Sequence, residues 1–281
     1  MDTGLLTRRE FGALLAAAAC FAADRPSFFI QKSDPQFGMF TANAGFEGET
    51  RNFERAISEA NRLRPAFVIV TGDLVNRPAD PAQVAELKRI IAKLDKSIPL
   101  YSVPGNHDIG NECSLEGLRT WRQAFGRDHY SFRSGSLYAI VLNTVLMTAP
   151  AECAKEAAEQ ETWFEQELAK ARRARARHVI VFQHHPFFVK NPAEADSYHN
   201  ISTLARQRYL ALLNPSTVSH VFAGHLHYNV EEQADRIKMV TTGPVGKPLG
   251  GAQSGVRIVK FGGGALEHRY YTLEELPERI E

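Results

Sequence analysis

A chain of 281 residues with 44% hydrophobic residues can bury a large core, enough for one sizeable α/β domain or two small ones. Its 33 Lys and Arg against 32 Asp and Glu leave a net charge of +1, so charge gives no reason to expect nucleic acid or an anionic membrane as partner. No apolar run is long enough to span a bilayer, and the 3 cysteines lack the Cys-x-x-Cys spacing of a thiolate zinc site.

The chain opens on Thr7-Arg-Arg-Glu-Phe11 followed by an alanine-rich run to Cys20. Paired arginines before a short, weakly apolar stretch resemble a twin-arginine export signal. Residues 1–23 therefore read as a signal, and residues 24–281 as a single domain that is periplasmic or secreted. Cys20 follows small residues and is a candidate for lipidation, although Ala17 stands where a lipobox usually has Leu. In an exported protein Cys113 and Cys153 are free to pair. A closed loop of ~40 residues contributes on the order of 4 kcal/mol in the chain-entropy model. Two free thiols are the other reading.

Ser27 to Ser33 reads as a first strand, ending in Asp34-Pro-Gln36. Phe53, Ala56, Ile57, Ala60 and Leu63 fall at helical spacing within Thr50 to Arg64, and Pro65 stops that helix. Ala66 to Thr71 is a second buried strand, ending in Gly72-Asp73. Asp80-Pro81 caps a helix predicted to run through Lys96. Ile98 to Val103 is a third strand, which Pro104-Gly105 stops before Asn106, His107 and Asp108. Strands alternating with helices predict βαβ units and a largely parallel sheet.

A helix over Ser114 to Phe125 and a hairpin, His129 to Arg133 with Leu137 to Leu142, come next. The helix Ala157 to Arg175 ends in a basic run that reads as a solvated helix terminus. Val179 to Phe182 is a strand ending in His184-His185-Pro186, and Val218 to Phe222 is one ending in Gly224-His225-Leu226-His227. A helix, Ile201 to Leu213, separates them. Four short late strands between Asn229 and Tyr271 predict a second sheet packed on the first.

Five apolar strands thus end in groups that can ligate a metal: Asp34 with Gln36, Asp73, Asn106 with His107 and Asp108, His184, and His225 with His227. In an open α/β sheet the carboxyl ends of strands are where ligands bind. Carboxylates, amide oxygens and imidazoles without thiolates suit hard to borderline divalent ions: Mn²⁺ first, then Fe²⁺, Zn²⁺ or Mg²⁺. The ligands are too many for one ion and about right for two, ~3.5–4 Å apart, with a bridging hydroxide that attacks phosphorus in line.

In order, Asp34-Pro-Gln36, Gly72-Asp73, Gly105-Asn-His-Asp108, His184-His-Pro186 and Gly224-His-Leu-His227 resemble the signature of the calcineurin-like metallophosphoesterase superfamily. The resemblance implies a four-layer α/β/β/α sandwich, two mixed sheets flanked by helices. It implies that Asp34 and His227 hold a first metal, that Asp73 bridges, and that Asn106, His184 and His225 hold a second. His107 would meet the phosphate and assist the leaving oxygen, with Asp108 orienting its imidazole. Gln36 stands where the family usually has His, so the first site should be looser and favour Mn²⁺ or Mg²⁺ over Fe³⁺.

Asp34-Pro-Gln-Phe-Gly38, Gly-Asn-His-Asp-Ile-Gly110 and the tail from His268 to Leu276 narrow the resemblance to the calcineurin-like phosphoesterase domain-containing protein 1 group, described as serine/threonine protein phosphatases. The implied activity is a metal-dependent phosphatase acting on a phosphorylated small molecule or phosphoprotein. A phosphodiesterase acting on nucleotides or lipids shares the same core. A non-catalytic phosphate binder is the reading from another class, which the intact His107–Asp108 pair argues against. Among other residues, His185 reads as packing, His199 lies in a loop that borders the cleft, and Arg77 is placed where it grips a phosphate oxygen or simply faces solvent.

Overall fold

The computed structural model describes residues 27–280. The expected export signal and Cys20 lie outside the described residues. In chain order the elements are β1 (Ser27–Lys32), α1 (Glu47–Leu63), β2 (Val68–Thr71), α2 (Pro81–Ile91), β3 (Leu100–Val103), α3 (Asn106–Ile109) and α4 (Leu115–Phe125). They continue with β4 (Tyr130–Ser134), β5 (Leu137–Val141), α5 (Val145–Thr148), α6 (Ala154–Arg173), β6 (His178–Phe182), α7 (Thr203–Leu213) and β7 (Val218–Ala223). The last four are β8 (Val230–Ala234), β9 (Ile237–Thr241), β10 (Gly255–Phe261) and β11 (Glu267–Thr272).

Two mixed sheets result. One has the order β11-β10-β1-β2-β3, the other β4-β5-β6-β7-β9-β8. Strands β1, β2 and β3 run parallel, as do β5, β6, β7 and β9. The expected four layers are present. One outer core packs α1, α2 and α4 against the first sheet, through Phe53, Ile57, Leu87, Ile90, Leu118 and Trp121. The other packs α6 and α7 against the second sheet, through Phe164, Leu168, Tyr209 and Leu213. Between the sheets lies an aromatic layer centred on Phe29, which stacks on Phe67 at 4.7 Å and meets Phe182 and Phe222 edge-on at 5.4 and 5.8 Å.

The late strands differ from expectation. They do not form a sheet of their own. β8 and β9 extend the second sheet, whereas β10 and β11 cross back to the first, β10 pairing antiparallel with β1. The four read alike because each is short and turn-bounded, and pairing partners leave no local sequence signal. Helix α2 also ends before Lys96. The Lys93 and Leu94 amides bond to carbonyls three residues back, so the last turn tightens and closes the helix at Ile91. Cys113 and Cys153 are buried free thiols.

Parallel strands covered on both faces deliver all their carboxyl ends to one edge. Asp34, Asp73, His184 and His225 each stand two residues beyond the last residue of β1, β2, β6 and β7, and Asn106 stands three beyond β3. Fixing that edge requires the sheets to stay in register, and the Phe29 cluster lies between them. Phe29→Ala should therefore lower the unfolding free energy by ~3–5 kcal/mol in urea titrations of metal-free protein. A loss below ~1 kcal/mol would show that the sheets are not held by this ring.

Candidate metal centre

The strand ends converge on a pocket of buried polar groups. Asp34, Gln36, Asp73, Asn106, His184, His225 and His227 are all buried. His184 Nε2 lies 3.2 Å from Asp73 Oδ2 and 3.1 Å from Asn106 Oδ1, and His227 Nε2 lies 3.5 Å from Asp34 Oδ1. Donor atoms ~3–3.4 Å apart form the edges of a coordination shell with bonds of ~2.0–2.2 Å. Ligand atoms of Asp34, Asp73 and His184 lie within 4.8 Å of one another.

The backbone is bent to achieve this. Asp34, Gln36, Asp73, His225 and His227 have φ of 47°, 40°, 48°, 73° and 58°. Left-handed conformations cost non-glycine residues roughly 1–2 kcal/mol each, and such strain concentrates at functional sites. Close packing adds a second demand. A Cβ at Gly105 would collide with the Asp73 carboxylate and its backbone nitrogen. Only glycine lets β3 deliver Asn106 beside the Asp73 carboxylate.

Each imidazole is oriented from outside by a backbone carbonyl. His184 Nδ1 meets Thr71 O at 2.9 Å, His225 Nε2 meets Tyr198 O at 2.8 Å, and His227 Nδ1 meets Lys247 O at 2.6 Å. A carbonyl only accepts, so the outer nitrogen of each ring carries a proton and the inner nitrogen points to the pocket, where a neutral ring offers a lone pair. Gln36 Oε1 is buried with no hydrogen-bond partner, while its Nε2 donates to Asn76 Oδ1 at 3.0 Å. An orphaned amide oxygen, two carboxylates, a second amide and three inward imidazole nitrogens are a donor set that suits a pair of hard-to-borderline cations. The residues present fit the group.

His185 is different. Thr144 Oγ1 accepts the His185 amide at 3.1 Å and lies 2.8 Å from His185 Nδ1, so a hydroxyl and not a carbonyl meets this ring. Burial and the neighbouring His225 and His184 keep His185 neutral, well below the usual imidazole range. Its ring packs on His184 and His225 at 4.9 and 4.3 Å.

Burial alone would lower the His184 pKa, but the Asp73 and Asp34 carboxylates raise it to about 9. A proton thus occupies His184 where a cation would otherwise balance the carboxylates. Burial lowers His225 to about 3, so it is neutral and free to ligate. Burial opposes the Asp73 charge, yet His184, His107 and His225 hold that carboxyl well below its ordinary range.

One assignment is corrected. Asp108 does not orient the His107 ring. Its Oδ1 accepts the Leu74 and Val75 amides at 2.9 and 3.2 Å, and its Oδ2 accepts the Gly105 amide at 2.9 Å. Standing at the start of α3, it turns back onto these amides and ties the loop after β2 to the end of β3. His107 Nδ1 instead meets Asn76 O at 2.9 Å. The His107 amide donates to Asp73 Oδ1 at 2.9 Å.

Tyr198 was not singled out by the sequence. Besides its carbonyl, its hydroxyl accepts from Asn106 Nδ2 at 3.0 Å and its ring packs on His225 at 4.8 Å. His199 stands beside it, as expected of a cleft loop. Buried Arg206 and Glu194 fasten this loop. The loop before β10 borders the pocket, with Val245 and Gly246 donating to the Ser33 and Asp34 carbonyls. Arg77 is exposed and lies 3.8 Å from Asp80.

Comparison with known proteins agrees with this geometry. A family model described as calcineurin-like phosphoesterase matches residues 30–229. Serine/threonine-protein phosphatase CPPED1 of Homo sapiens is 34% identical over 300 residues, spanning 99% of this chain and 95% of that protein. The Danio rerio protein of the same name is 34% identical over 269 residues, spanning 90% and 87%. Among solved structures, a dimetal phosphatase from Danio rerio superposes with a TM-score of 0.61 at 16% identity, over 88% of this chain and 99% of that one. Purple acid phosphatase PPD1 from yellow lupin superposes with a TM-score of 0.67 at 14% identity, over 89% and 52%. At such identities the structural matches speak to the fold.

The proton on His184 must leave before that nitrogen can ligate. Mn²⁺ uptake by metal-stripped protein at pH 7 should release close to one proton from this group, and affinity should rise up to ~10-fold per pH unit until pH ~9. Calorimetry in buffers of differing ionisation enthalpy reads the proton directly. The raised pKa also fixes a sign for metal-free stability. This group's contribution is complete below 6.5, its ordinary value, and is lost as pH rises through about 9. Uptake without proton release would refute the assignment of a charged His184.

Proposed function

The chain belongs to the calcineurin-like phosphoesterase family, and we propose that it is a metal-dependent phosphatase of phosphate monoesters, acting on phosphoserine or phosphothreonine in a protein substrate. The three inward-turned imidazoles, each locked from outside by a backbone carbonyl, carry the reading. They leave Asp34, Gln36, Asp73 and His227 for one cation and Asp73, Asn106, His184 and His225 for the other. The first set is three oxygens and one nitrogen, and suits Mn²⁺ or Mg²⁺. The second is two of each and also suits Fe²⁺ or Zn²⁺. When bound, such a pair supplies Lewis-acid polarisation of the phosphoryl group and activation of a water nucleophile.

The chain's own residues do the rest. Asp73 would share its carboxylate between both sites. His107 gives Nδ1 to the Asn76 carbonyl, so Nε2 is the nitrogen that meets substrate. Protonated, it hands a proton to the departing ester oxygen. Asp108 keeps the two loops that carry Asn76 and His107 in register through three amides. A pure binder has little use for such a fixed donor. The protein-substrate class rests on the names of the 34% identical relatives. Export through residues 1–23 rests on the paired arginines alone; amino-terminal sequencing of periplasmic protein should place cleavage near residue 23.

Metal-stripped protein reloaded with Mn²⁺ should hydrolyse an aryl phosphate monoester and a phosphothreonine peptide. An aryl diester turned over faster than the monoester would instead favour a phosphodiesterase. Asp73→Asn should remove turnover and weaken metal uptake together. His107→Ala should lower kcat by ~10²–10⁴ while leaving metal uptake within ~2-fold. Equal loss of metal in both variants would refute the separate roles.

A further inference from the structure

Gln36 raises a question that imidazole would not. A carboxamide presents an oxygen or a nitrogen of nearly equal size, related by a half-turn, and only the oxygen helps a cation. A chain of hydrogen bonds settles which one is left without a protein partner. The backbone amides of Asn76 and Arg77 can only donate, and both point at Gln83 Oε1 at 3.0 Å. The other Gln83 atom is then Nε2, which donates to Asn43 Oδ1 at 2.9 Å. Asn76 Nδ2 donates to the same oxygen at 2.8 Å. Asn76 Oδ1 is therefore the acceptor that meets Gln36 Nε2 at 3.0 Å. What remains is Gln36 Oε1, buried and unpartnered.

We propose that Asn76 is a positioning residue of the first metal site: with Gln83 and Asn43 it forms a directional amide relay that locks the Gln36 oxygen toward the cation. The relay starts at two backbone amides, which cannot invert, so no member can turn without setting donor against donor or acceptor against acceptor. Its far end is anchored where α2 begins, because Asp80 Oδ1 accepts the Ala82 and Gln83 amides at 3.0 and 3.1 Å. Gly38 makes room for it. At φ of 108°, a Cβ there would stand 2.6 Å from Gln83 Nε2 and 2.8 Å from Asn43 Oδ1. The backbone carbonyl of Asn76 also holds His107 at 2.9 Å. One residue thus aligns a metal ligand with its side chain and the proton donor with its main chain.

This inference rests on the two-cation reading, and the experiment separates the two. Metal-stripped full-length protein is titrated with Mn²⁺ by calorimetry, with Mn²⁺ electron paramagnetic resonance to count occupied sites. The unaltered protein should take up two ions. Asn76→Leu removes both amide arms and leaves the carbonyl that holds His107. It should weaken the first ion ~10–100-fold, the range for lost ligand-orienting partners, and change the second less than ~2-fold. In a Gln36→Ala background the same substitution should cost less than ~2-fold, because nothing remains to orient.

Asn43→Ala, in the surface loop, and Gly38→Ala perturb the relay from its far end. Both should weaken the first ion in the same direction by less, which keeps the test alive if Asn76→Leu folds poorly. Three results would overturn the relay: unchanged affinity in Asn76→Leu, equal weakening of both ions, or a loss that persists without Gln36. Uptake of fewer than two ions by the unaltered protein would overturn the two-cation reading, and the relay with it.

Discussion

Three backbone carbonyls, those of Thr71, Tyr198 and Lys247, decide what the centre of this protein can hold. An imidazole has one proton to give when neutral. Spending it outward on a carbonyl leaves a lone pair inward, and three such rings around two carboxylates make a pocket that wants a cation. The carbonyls come from three parts of the chain: the last residue of β2, the loop between β6 and α7, and the loop between β9 and β10. They coincide only because both sheets end on one edge. The aromatic layer around Phe29 holds that edge in place, so packing far from the pocket fixes the protonation state of its ligands.

Metal-free, the pocket is electrostatically expensive. Asp34 and Asp73 are fully buried, and an uncompensated buried carboxylate costs several kcal/mol. The proton on His184 offsets part of this, and Ser33 donates to Asp34. Strain adds to it, since five ligands sit in left-handed backbone. Neither the buried carboxylates nor the strained backbone helps the protein fold. They persist because the surrounding sheets over-determine them, and cations relieve the charge without needing the backbone to move.

The sequence displayed the strands and their ligand-bearing ends because a short apolar run stopped by Gly, followed by Asp, Asn or His, is a local pattern. Asp34, Asp73, Asn106, His184, His225 and His227 stand side by side, and the Gln36 amide donates to the Asp73 carbonyl. What remained hidden was non-local. A carbonyl ligand to an imidazole has no residue type, so Thr71, Tyr198 and Lys247 carry no mark. Asp108 sits next to His107 in the chain, which made the pair look like an oriented donor, yet the start of α3 turns the carboxylate toward the amides of another loop. The late strands failed for a related reason: β9 and β10 have similar composition but join different sheets, and only pairing distinguishes them.

Gln36 joins these levels. Read from the sequence, an amide in place of an imidazole looks like a loss of affinity at the first site. The structure shows that the amide is held in one of its two orientations by partners that cannot invert, which reduces the entropy lost when a cation binds. The substitution then changes hardness more than order. The first site gains an oxygen and gives up a soft donor, while the second keeps two imidazoles. Two cations held as proposed would face different ligand chemistry, and the asymmetry would come from a single side chain. Asp34, Gln36, Asp73 and His227 would suit the harder ion, which favours oxygen, and the imidazoles of His184 and His225 would suit a more borderline one.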